Sequence, residues 1–198
     1  MYIPKYFQQN NIEELHRFIQ ANSFGQLITI QSGLPVVTPI PVFLSDDKKR
    51  LLGHVARGNP QHLDLDGQTV LMTFMGEHGY VSPSWYAESG GVPTWNYQSV
   101  QVTGKINVIE PVEQKQQIVE QLSRVNEVVF ENPWTPDFPL AKLGGIVAFE
   151  IVIEQIQGKY KLSQNKSEQD QLSVIEQLKK HGRLALAEEM ARTMKASK

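Results

Sequence analysis

The stretch GEHGYVSPSWYAESGGVPTWNYQSVQVTGKINV, residues 76–108, decides the fold of this chain. Apolar residues alternate with polar ones in its second half, at Val100, Val102, Ile106 and Val108. Gly104 keeps this register. Alternation with a period of two predicts a β-strand with one buried face and one solvent-facing side. Because a strand needs partner strands to be stable, the stretch predicts a β-rich fold.

The first half of the same stretch combines aromatic rings with residues that bend the backbone. The rings are those of Tyr80, Trp85, Tyr86, Trp95 and Tyr97, and two of the chain's three tryptophans are among them. They stand beside prolines, glycines and hydrogen-bonding side chains, among them Pro83, Pro93, Gly90, Gly91, Ser82 and Thr94. Ring faces with a few fixed hydrogen bonds suit a planar ligand. An irregular loop that anchors itself with its own rings has the same composition, so both interpretations stay open.

Short segments rich in β-branched residues surround this stretch and predict further strands. They cover residues 26–31, 36–44, 50–55 and 69–75 before it, and a final strand pair, 145–156 and 158–162, after it. Ser32-Gly33 and residues 45–49 have the composition of hairpin turns. Pro39 and Pro41 lack an amide donor, so they predict that the second strand is an edge strand or is bulged.

Helical spacing of apolar residues predicts four helices. One follows Asn11, one follows Glu110-Pro111 through about Phe130, and two cover residues 170–180 and 184–195, broken at His181-Gly182. Strands and helices together predict a mainly β fold, a small barrel with helical additions. We expect residues 1–166 to form the barrel domain, including the helix near 111–130. Residues 167–198 are expected to form a C-terminal helical appendage.

Composition and charge limit the classes of function. With 198 residues, 40% of them hydrophobic, the chain can bury one substantial core. Its formal net charge of -2 gives no overall attraction for nucleic acid. The absence of cysteine excludes disulfides, thiolate metal ligands and cysteine nucleophiles. No apolar stretch has the length of a membrane span, so we expect a soluble, cytoplasmic protein without a membrane partner.

No set of residues points to a catalytic or a metal site. The five histidines are scattered without metal-ligand spacing, and the chain has no GxSxG, Walker or GxGxxG sequence. We therefore expect no catalytic side chains and no metal ligands. A bound cofactor can supply redox chemistry by itself, so oxidoreduction stays possible.

The segment HVARGNP, residues 54–60, has the composition of a phosphate site. A predicted strand ends there in a glycine, and a short helix is expected to begin at Pro60. An arginine fork, backbone amides and a helix N-terminus together bind a dianionic phosphate. Arg57 is the first candidate contact, with Asn59 and His54 as further donors. An arginine before a glycine is also common in solvated turns, so the segment alone leaves both readings open.

Four blocks of sequence carry a resemblance to a known family. In order they are LLGHVARGNPQ at 51–61, HGYVSPSWY at 78–86, VPTWNY at 92–97 and GKYKLSQN at 158–165, and the opening MYIPKYF also matches. These blocks resemble the PaiB-like family of FMN-binding negative transcriptional regulators. With the strand-like segments between them, the resemblance spans residues 1 to about 176.

The resemblance implies an FMN-binding split β-barrel that works as a homodimer with FMN between the subunits. With it, Arg57 is expected to contact the FMN phosphate, and His54 and Asn59 to lie beside that contact. Four residues are expected to border the isoalloxazine ring or the facing subunit, namely Trp85, Thr94, Trp95 and Asn96. Lys161 and Gln164 follow the last predicted strand and are expected to reach the phosphate or the ribityl chain.

The chain departs from the family pattern at two positions. Pro39 stands where the family commonly has histidine, and Thr103 stands where an aromatic residue is usual. If that histidine faces the flavin, its replacement alters the site in this chain.

Three functions are compatible with these observations. The first is an FMN-bound dimer that modulates transcription, directly or through another protein. The second is a flavin-dependent reductase of a small acceptor, and the third is a haem-binding relative of the barrel. Direct DNA contact would fall to residues 179–198, which carry six basic and two acidic residues. Because their apolar stripe, with Leu186 and Met190, favours packing, we expect weak or no direct DNA binding by this chain at physiological salt.

Overall fold

The structure of the protein, a computed structural model, describes residues 1–87 and 91–196, and for Ala196 the backbone only. Gly90, from the glycine pair noted above, and Lys198 lie outside this range. Seven strands and four α-helices occur in the described part, in the order β1 (Gln8–Gln9), α1 (Ile12–Ala21), β2 (Phe24–Gln31), β3 (Leu34–Leu44), β4 (Arg50–Ala56), β5 (Thr69–Val81), β6 (Thr94–Ile109), α2 (Val112–Glu127), β7 (Ile146–Lys161), α3 (Glu168–Lys180) and α4 (Leu184–Ala196).

The strands form one sheet in the order β1-β7-β4-β3-β2-β5-β6. Strand β6 also pairs with β7, so hydrogen-bonded neighbours close a ring, which is the connectivity of a small barrel. The pairs of β2 with β3 and β5, and of β4 with β3 and β7, are antiparallel. The prediction of a mainly β barrel with helical additions is confirmed.

The hairpin turn between β2 and β3 follows from its two residues. Ser32 and Gly33 both have positive φ, at 52° and 78°. This is the backbone of a tight turn whose twist matches that of the flanking strands, and glycine adopts it without strain. The predicted turn at this point is therefore confirmed.

One predicted strand boundary is wrong because a small residue hides the strand pattern. The final strand pair is one continuous strand, β7, in which Gly158 pairs with Gln9 of β1 instead of turning. Strand β6 begins at Thr94, directly after Pro93, and continues through the alternating residues from Val100. Alternation of apolar residues does not mark its first part, because the buried positions there include the amides Asn96 and Gln98.

The prediction of an edge strand at Pro39 and Pro41 is corrected by the pairing of β3. This strand lies between β2 and β4 and is no edge. However, Pro39 and Pro41 pair with Gln26 and Phe24 of β2, whereas β4 pairs with β3 only at residues 42–44. The prolines therefore occupy the part of β3 that has one partner strand, where a missing amide donor is tolerated.

The described chain divides into two compact units. Unit 1 contains residues 1–11, 75–100 and 157–198, and unit 2 contains residues 12–74 and 101–156. In unit 2, α2 places Ile118 and Leu122 against Ile109 and Ala148. The expected boundary between a barrel domain at 1–166 and an appendage at 167–198 stays a prediction.

The two C-terminal helices belong to unit 1 and are packed within it. Gly182 has a φ of 72° and ends α3, and the amide of Arg183 donates to the carbonyl of Leu178. Leu186 and Met190 on α4 are each 1% exposed. The apolar stripe of α4 is thus buried against this unit's own residues.

Candidate functional site

Lys161 brings three of the predicted site residues together in unit 1. It ends β7, and its side-chain nitrogen donates to the hydroxyl of Thr94 and, over 2.6 Å, to the carbonyl oxygen of Trp95. Thr94 and Trp95 begin β6. Trp95 is 54% exposed, and the Tyr80 ring meets its ring edge-on at 6.1 Å. An ammonium group is therefore fixed at the backbone of a residue with an exposed aromatic side chain. We call Thr94, Trp95 and Lys161 the lysine cluster.

The charges around the lysine cluster favour binding of an anion. Burial, followed by repulsion from Lys159 and Lys166, lowers the pKa of the Lys161 ammonium. Among the described residues no carboxylate pairs with these three lysines, and the ion pairs of this part of the chain involve other cations. The Lys161 ammonium has three N–H groups, and two of them donate to Thr94 and Trp95. The third has no acceptor among the described residues. A phosphate would supply the missing acceptor and counter-charge.

Aromatic rings surround the lysines of this surface. The Lys159 nitrogen lies 5.4 Å from the ring centre of Tyr97 and 5.7 Å from that of Tyr2. The Lys161 nitrogen lies 5.8 Å from the Phe7 ring. These are cation–π distances, and they hold the ammonium groups beside flat apolar faces. Cations beside rings match a ligand that joins a phosphate to a planar ring system, as FMN does.

Asn96 and Gln164 lie close to the lysine cluster in sequence, but their amides are engaged inside unit 1. Asn96 is fully buried, and its Nδ2 donates to Ser163 Oγ at 2.9 Å and to the Met190 sulfur at 3.2 Å. Gln164 accepts from the amide of Leu162 and donates to the carbonyl of Tyr160. Asn96 thus joins β6 to α4 rather than pointing to solvent. The cofactor contacts of both residues stay predictions.

Trp85 lies on a 3-10 turn, Pro83–Trp85, that Ser82 caps by accepting from the amide of Ser84. Trp85 is half-buried, and α3 holds it through contacts described below. The neighbouring Tyr86 is buried, its hydroxyl has no hydrogen-bond partner in the described part, and burial raises its pKa. An unpartnered buried hydroxyl is rare in a folded protein, and it marks this turn as a place where a ligand group can bind.

In unit 2, Arg57 is tied to the backbone that precedes β7. Its Nε donates to the carbonyl of Gly144 at 2.8 Å and its Nη2 to that of Ile146 at 3.3 Å. Only Nη1 of the fork is free of hydrogen bonds to described residues. Arg57 therefore has a structural role, and a phosphate contact by its remaining nitrogen stays a prediction.

The turn after Arg57 has the predicted cap and the predicted helical start. Asn59 caps it by accepting from the amide of Gln61 at 3.0 Å, and its Nδ2 donates to Thr38 Oγ1. The turn itself, Pro60–Asp64, is a 3-10 helix of five residues. So short a helix has only a weak macrodipole, and phosphate binding at its N-terminus stays a prediction.

His54 is half-buried on β4, opposite Ala148 of β7. Its Nδ1 is buried and has no partner among the described residues. Burial lowers the pKa of this imidazole, so the ring is neutral near pH 7. A neutral, unpartnered ring nitrogen can accept or donate one hydrogen bond to a ligand.

A groove of about 780 Å³ on the described surface contains none of these residues. It lies in unit 2 beside α2, with Phe43 and Leu52 in its lining. Its arginines are neutralised, since Arg50 pairs with Glu150 and Arg124 with Glu120. The groove therefore offers no unpaired cation for a phosphate, whereas the lysine cluster does.

No group of three or more metal-ligating side chains is placed to hold a metal ion within residues 1–87 and 91–196. No helix in the same ranges is long and apolar enough to cross a membrane.

The fold is that of a split-barrel protein, and comparisons with known proteins show that this barrel is of the flavin-binding class. The family described as "Putative FMN-binding domain" matches residues 1–155. The chain is 43% identical over 186 residues to the protease synthase and sporulation protein PAI 2 of Bacillus subtilis, covering 90% of this chain and 89% of that protein. The chain therefore belongs to the PaiB-like family of FMN-binding proteins, and FMN is its cofactor.

Solved structures share the fold at low sequence identity. The FAD and heme binding protein of Mycobacterium smegmatis superposes with a TM-score of 0.66 at 17% identity, covering 84% of this chain and 78% of its own. The flavocytochrome Anf3 of Azotobacter vinelandii gives the same TM-score and identity, with 85% and 77% covered. At this identity the likeness establishes the split-barrel fold alone.

The residues that sequence reasoning missed are Lys159, Lys166 and His181. Lys159 and Lys161 are two positions apart on one strand, so they share a face, and that spacing is visible in the sequence. The contacts of Lys166 and His181 with Tyr86 and Trp85 join residues far apart in the chain, and no local pattern signals them.

Proposed function

We propose that this protein is a homodimeric FMN protein that regulates transcription through another protein, and that the lysine cluster binds its FMN. One observation supports this most strongly: Lys161 presents a cation without a carboxylate partner, and it is held at the backbone carbonyl of the exposed Trp95. FMN has one dianionic group and one planar ring system, which are the two chemistries that this surface offers. When bound, FMN supplies hydride and electron transfer.

Each residue of the cluster has a distinct part in this proposal. Lys161 holds the phosphate, because its free N–H and its lowered pKa make it gain most from a new anionic partner. Thr94 fixes the Lys161 side chain through its hydroxyl. Trp95 offers a ring face for stacking. Arg57 of unit 2 is a separate candidate for the phosphate, and each cation is tested by its own variant.

The proposed homodimer is supported by an apolar sheet face in unit 2. Cross-strand partners on β2 and β3 place mostly apolar side chains on one side of the hairpin, with the pairs Phe24–Pro41, Ile28–Val37 and Ile30–Pro35. Phe24 is 67% exposed, and Ile30 and Val37 are each 51% exposed. A monomeric protein rarely leaves such a contiguous patch in water. A second copy of this chain is the proposed cover.

Regulation through a partner, and not by direct DNA binding, is supported by the C-terminal helices. The apolar stripe of α4 is used in packing, so α4 is not free to act as a recognition helix. Arg192 pairs with Glu189 and Lys180 with Glu176, which reduces the charge available for phosphates. The expected result is weak or no binding of duplex DNA at physiological salt.

Purification without added cofactor tests the proposal. We expect a flavin absorbance spectrum and the mass of FMN in the denatured supernatant, and a dimer by light scattering. Added FMN at a hundredfold excess over its dissociation constant should stabilise the protein by about 2.7 kcal/mol. An unchanged melting temperature without copurified flavin would contradict FMN binding, and a Soret band would indicate haem instead. Steady oxidation of NADH or NADPH would favour a flavin-dependent reductase over a regulator.

A further inference from the structure

The strongest unexplained feature of unit 1 is the way in which α3 holds the turn that carries Trp85. The hydroxyl of Ser173 donates to the carbonyl oxygen of Trp85 at 2.5 Å. The amide of Ala87, two residues further on, donates to the Asp170 carboxylate at 2.8 Å. The backbone on both sides of Tyr86 is therefore fixed by side chains of one helix.

The Trp85 ring contacts His181, the C-cap residue of α3. The ring of His181 stacks on that of Trp85, with ring centres 5.2 Å apart and planes inclined by 30°. The orientation of His181 is fixed in turn, because its Nδ1 lies 2.8 Å from the carbonyl oxygen of Gln177. Its backbone amide also donates to Gln177. A neutral imidazole with its proton on Nδ1 can make this hydrogen bond and stack at the same time.

The contacting residues share one face of α3. Asp170, Ser173, Gln177 and His181 follow one another at intervals of three or four, which is the spacing of neighbours on a helix surface. The adjoining positions Val174 and Leu178 anchor the helix, since both are fully buried. A rigid helix thus presents three successive contacts to one short turn.

We propose that this face of α3 positions Trp85 for the flavin, and that His181 is the residue that orients the Trp85 ring. The inference rests on the proposed function, because the turn that carries Trp85 lies near the lysine cluster: the Lys166 nitrogen lies 4.6 Å from the Tyr86 ring centre, and its charge contributes to the lowered pKa of Lys161. The family model matches residues 1–155, so α3 lies outside the matched segment. The inference gives α3 a part in cofactor binding.

A matched set of variants separates the ring contact from the hydrogen bond. His181→Phe keeps a ring that can stack on Trp85 but loses the bond to Gln177, whereas His181→Asn keeps a polar group and loses the ring. His78→Asn is the control, since His78 is an exposed histidine of the same unit whose side chain bonds only the carbonyl of Gly76. His181 is also exposed, so these variants should fold, and thermal unfolding checks this.

The first measurement needs no flavin. Protein labelled with 5-fluorotryptophan gives one fluorine signal for each of its three tryptophans, and Trp85→Phe assigns the relevant one. We expect His181→Asn to shift the Trp85 signal, and His181→Phe and His78→Asn to leave it close to its native position. An unmoved Trp85 signal in His181→Asn would overturn the inference.

The second measurement is an FMN titration of the same proteins. We expect His181→Asn to weaken FMN binding about two- to tenfold, the range for one aromatic contact, and His181→Phe to restore it. Failure of the native protein to bind FMN would overturn the proposed function. If native protein binds FMN and His181→Asn binds it equally well, the proposed function stands and the positioning role of His181 is wrong.

Discussion

The side-chain nitrogen of Lys161 lies 2.6 Å from the carbonyl oxygen of Trp95, at the point where the end of β7 meets the start of β6. This hydrogen bond fixes a cation at the backbone of an exposed tryptophan. A lysine in open water would not be held in this way, because its flexible stem loses side-chain entropy when ordered. Two hydrogen bonds to unit 1 offset this loss of side-chain entropy. The third N–H of the Lys161 ammonium is left for a ligand.

Arg57→Ala tests the other candidate for the phosphate. If Arg57 binds it, FMN affinity should fall by about 1.5 to 3 kcal/mol, the range for a hydrogen bond between charged groups, while riboflavin affinity stays the same. Calorimetric titration of both ligands measures this difference. Equal losses for the two ligands would mean that Arg57 acts by holding the Gly144–Ile146 segment.

Gly104→Ala should destabilise the protein strongly. A Cβ atom at this position would lie 2.2 Å from the carbonyl oxygen of Val152 and 2.8 Å from a side-chain carbon of Ile151. Backbone must therefore move, and we expect a loss of about 1 to 3 kcal/mol or more in urea unfolding. The control is Gly144→Ala, whose Cβ would meet nothing within 4 Å. A Gly104→Ala protein as stable as this control would show that the close approach of β6 and β7 is wrong.

Val37→Glu should dissociate the proposed dimer. A charge in the middle of the apolar face on β2 and β3 would have to be buried without a partner, which costs several kcal/mol. We expect a monomer by light scattering. Val129→Glu is the matched control, because Val129 is 78% exposed and lies outside that face. A dimer that survives Val37→Glu would place the interface elsewhere.

The stability of the flavin-free protein should depend on pH through His54. Its folded pKa is lowered from 6.5 by burial, so the unfolded chain binds a proton that the folded protein excludes. Stability from this group is present above pH 6.5 and is lost as the pH falls through the lowered pKa. His54→Leu should reduce the loss of stability on acidification below pH 6.5. Parallel pH profiles for the two proteins would contradict a buried neutral imidazole.

Much of the barrel could be predicted from sequence because its strands alternate and its turns use residues with special backbone preferences. Ser32-Gly33 is such a turn, and Val100 to Val108 is such a strand. The alternating pattern does not extend to the part of the strand that buries amides, at Asn96 and Gln98, because buried polar groups depend on partners elsewhere in the chain. Prediction failed at Gly158, where pairing with Gln9 overrides the usual reading of glycine as a turn.

The candidate site was predicted less completely than the fold. Thr94, Trp95 and Lys161 were chosen separately and meet in one cluster, since β6 and β7 are neighbours. The stacking of His181 on Trp85 joins residues 96 positions apart, and no periodicity encodes it. Arg57 was chosen for its charge, but its fork is largely occupied by two backbone carbonyls, which only the folded chain reveals.

Titration of FMN and riboflavin into native protein and Lys161→Met tests the central claim most directly. Methionine keeps the length of the apolar stem and removes the charge. The account predicts that Lys161→Met weakens FMN by about tenfold or more, corresponding to at least 1.4 kcal/mol, and leaves riboflavin binding and the Lys179→Met control unchanged. Equal FMN affinity in native protein and Lys161→Met would contradict the assignment of the phosphate to Lys161.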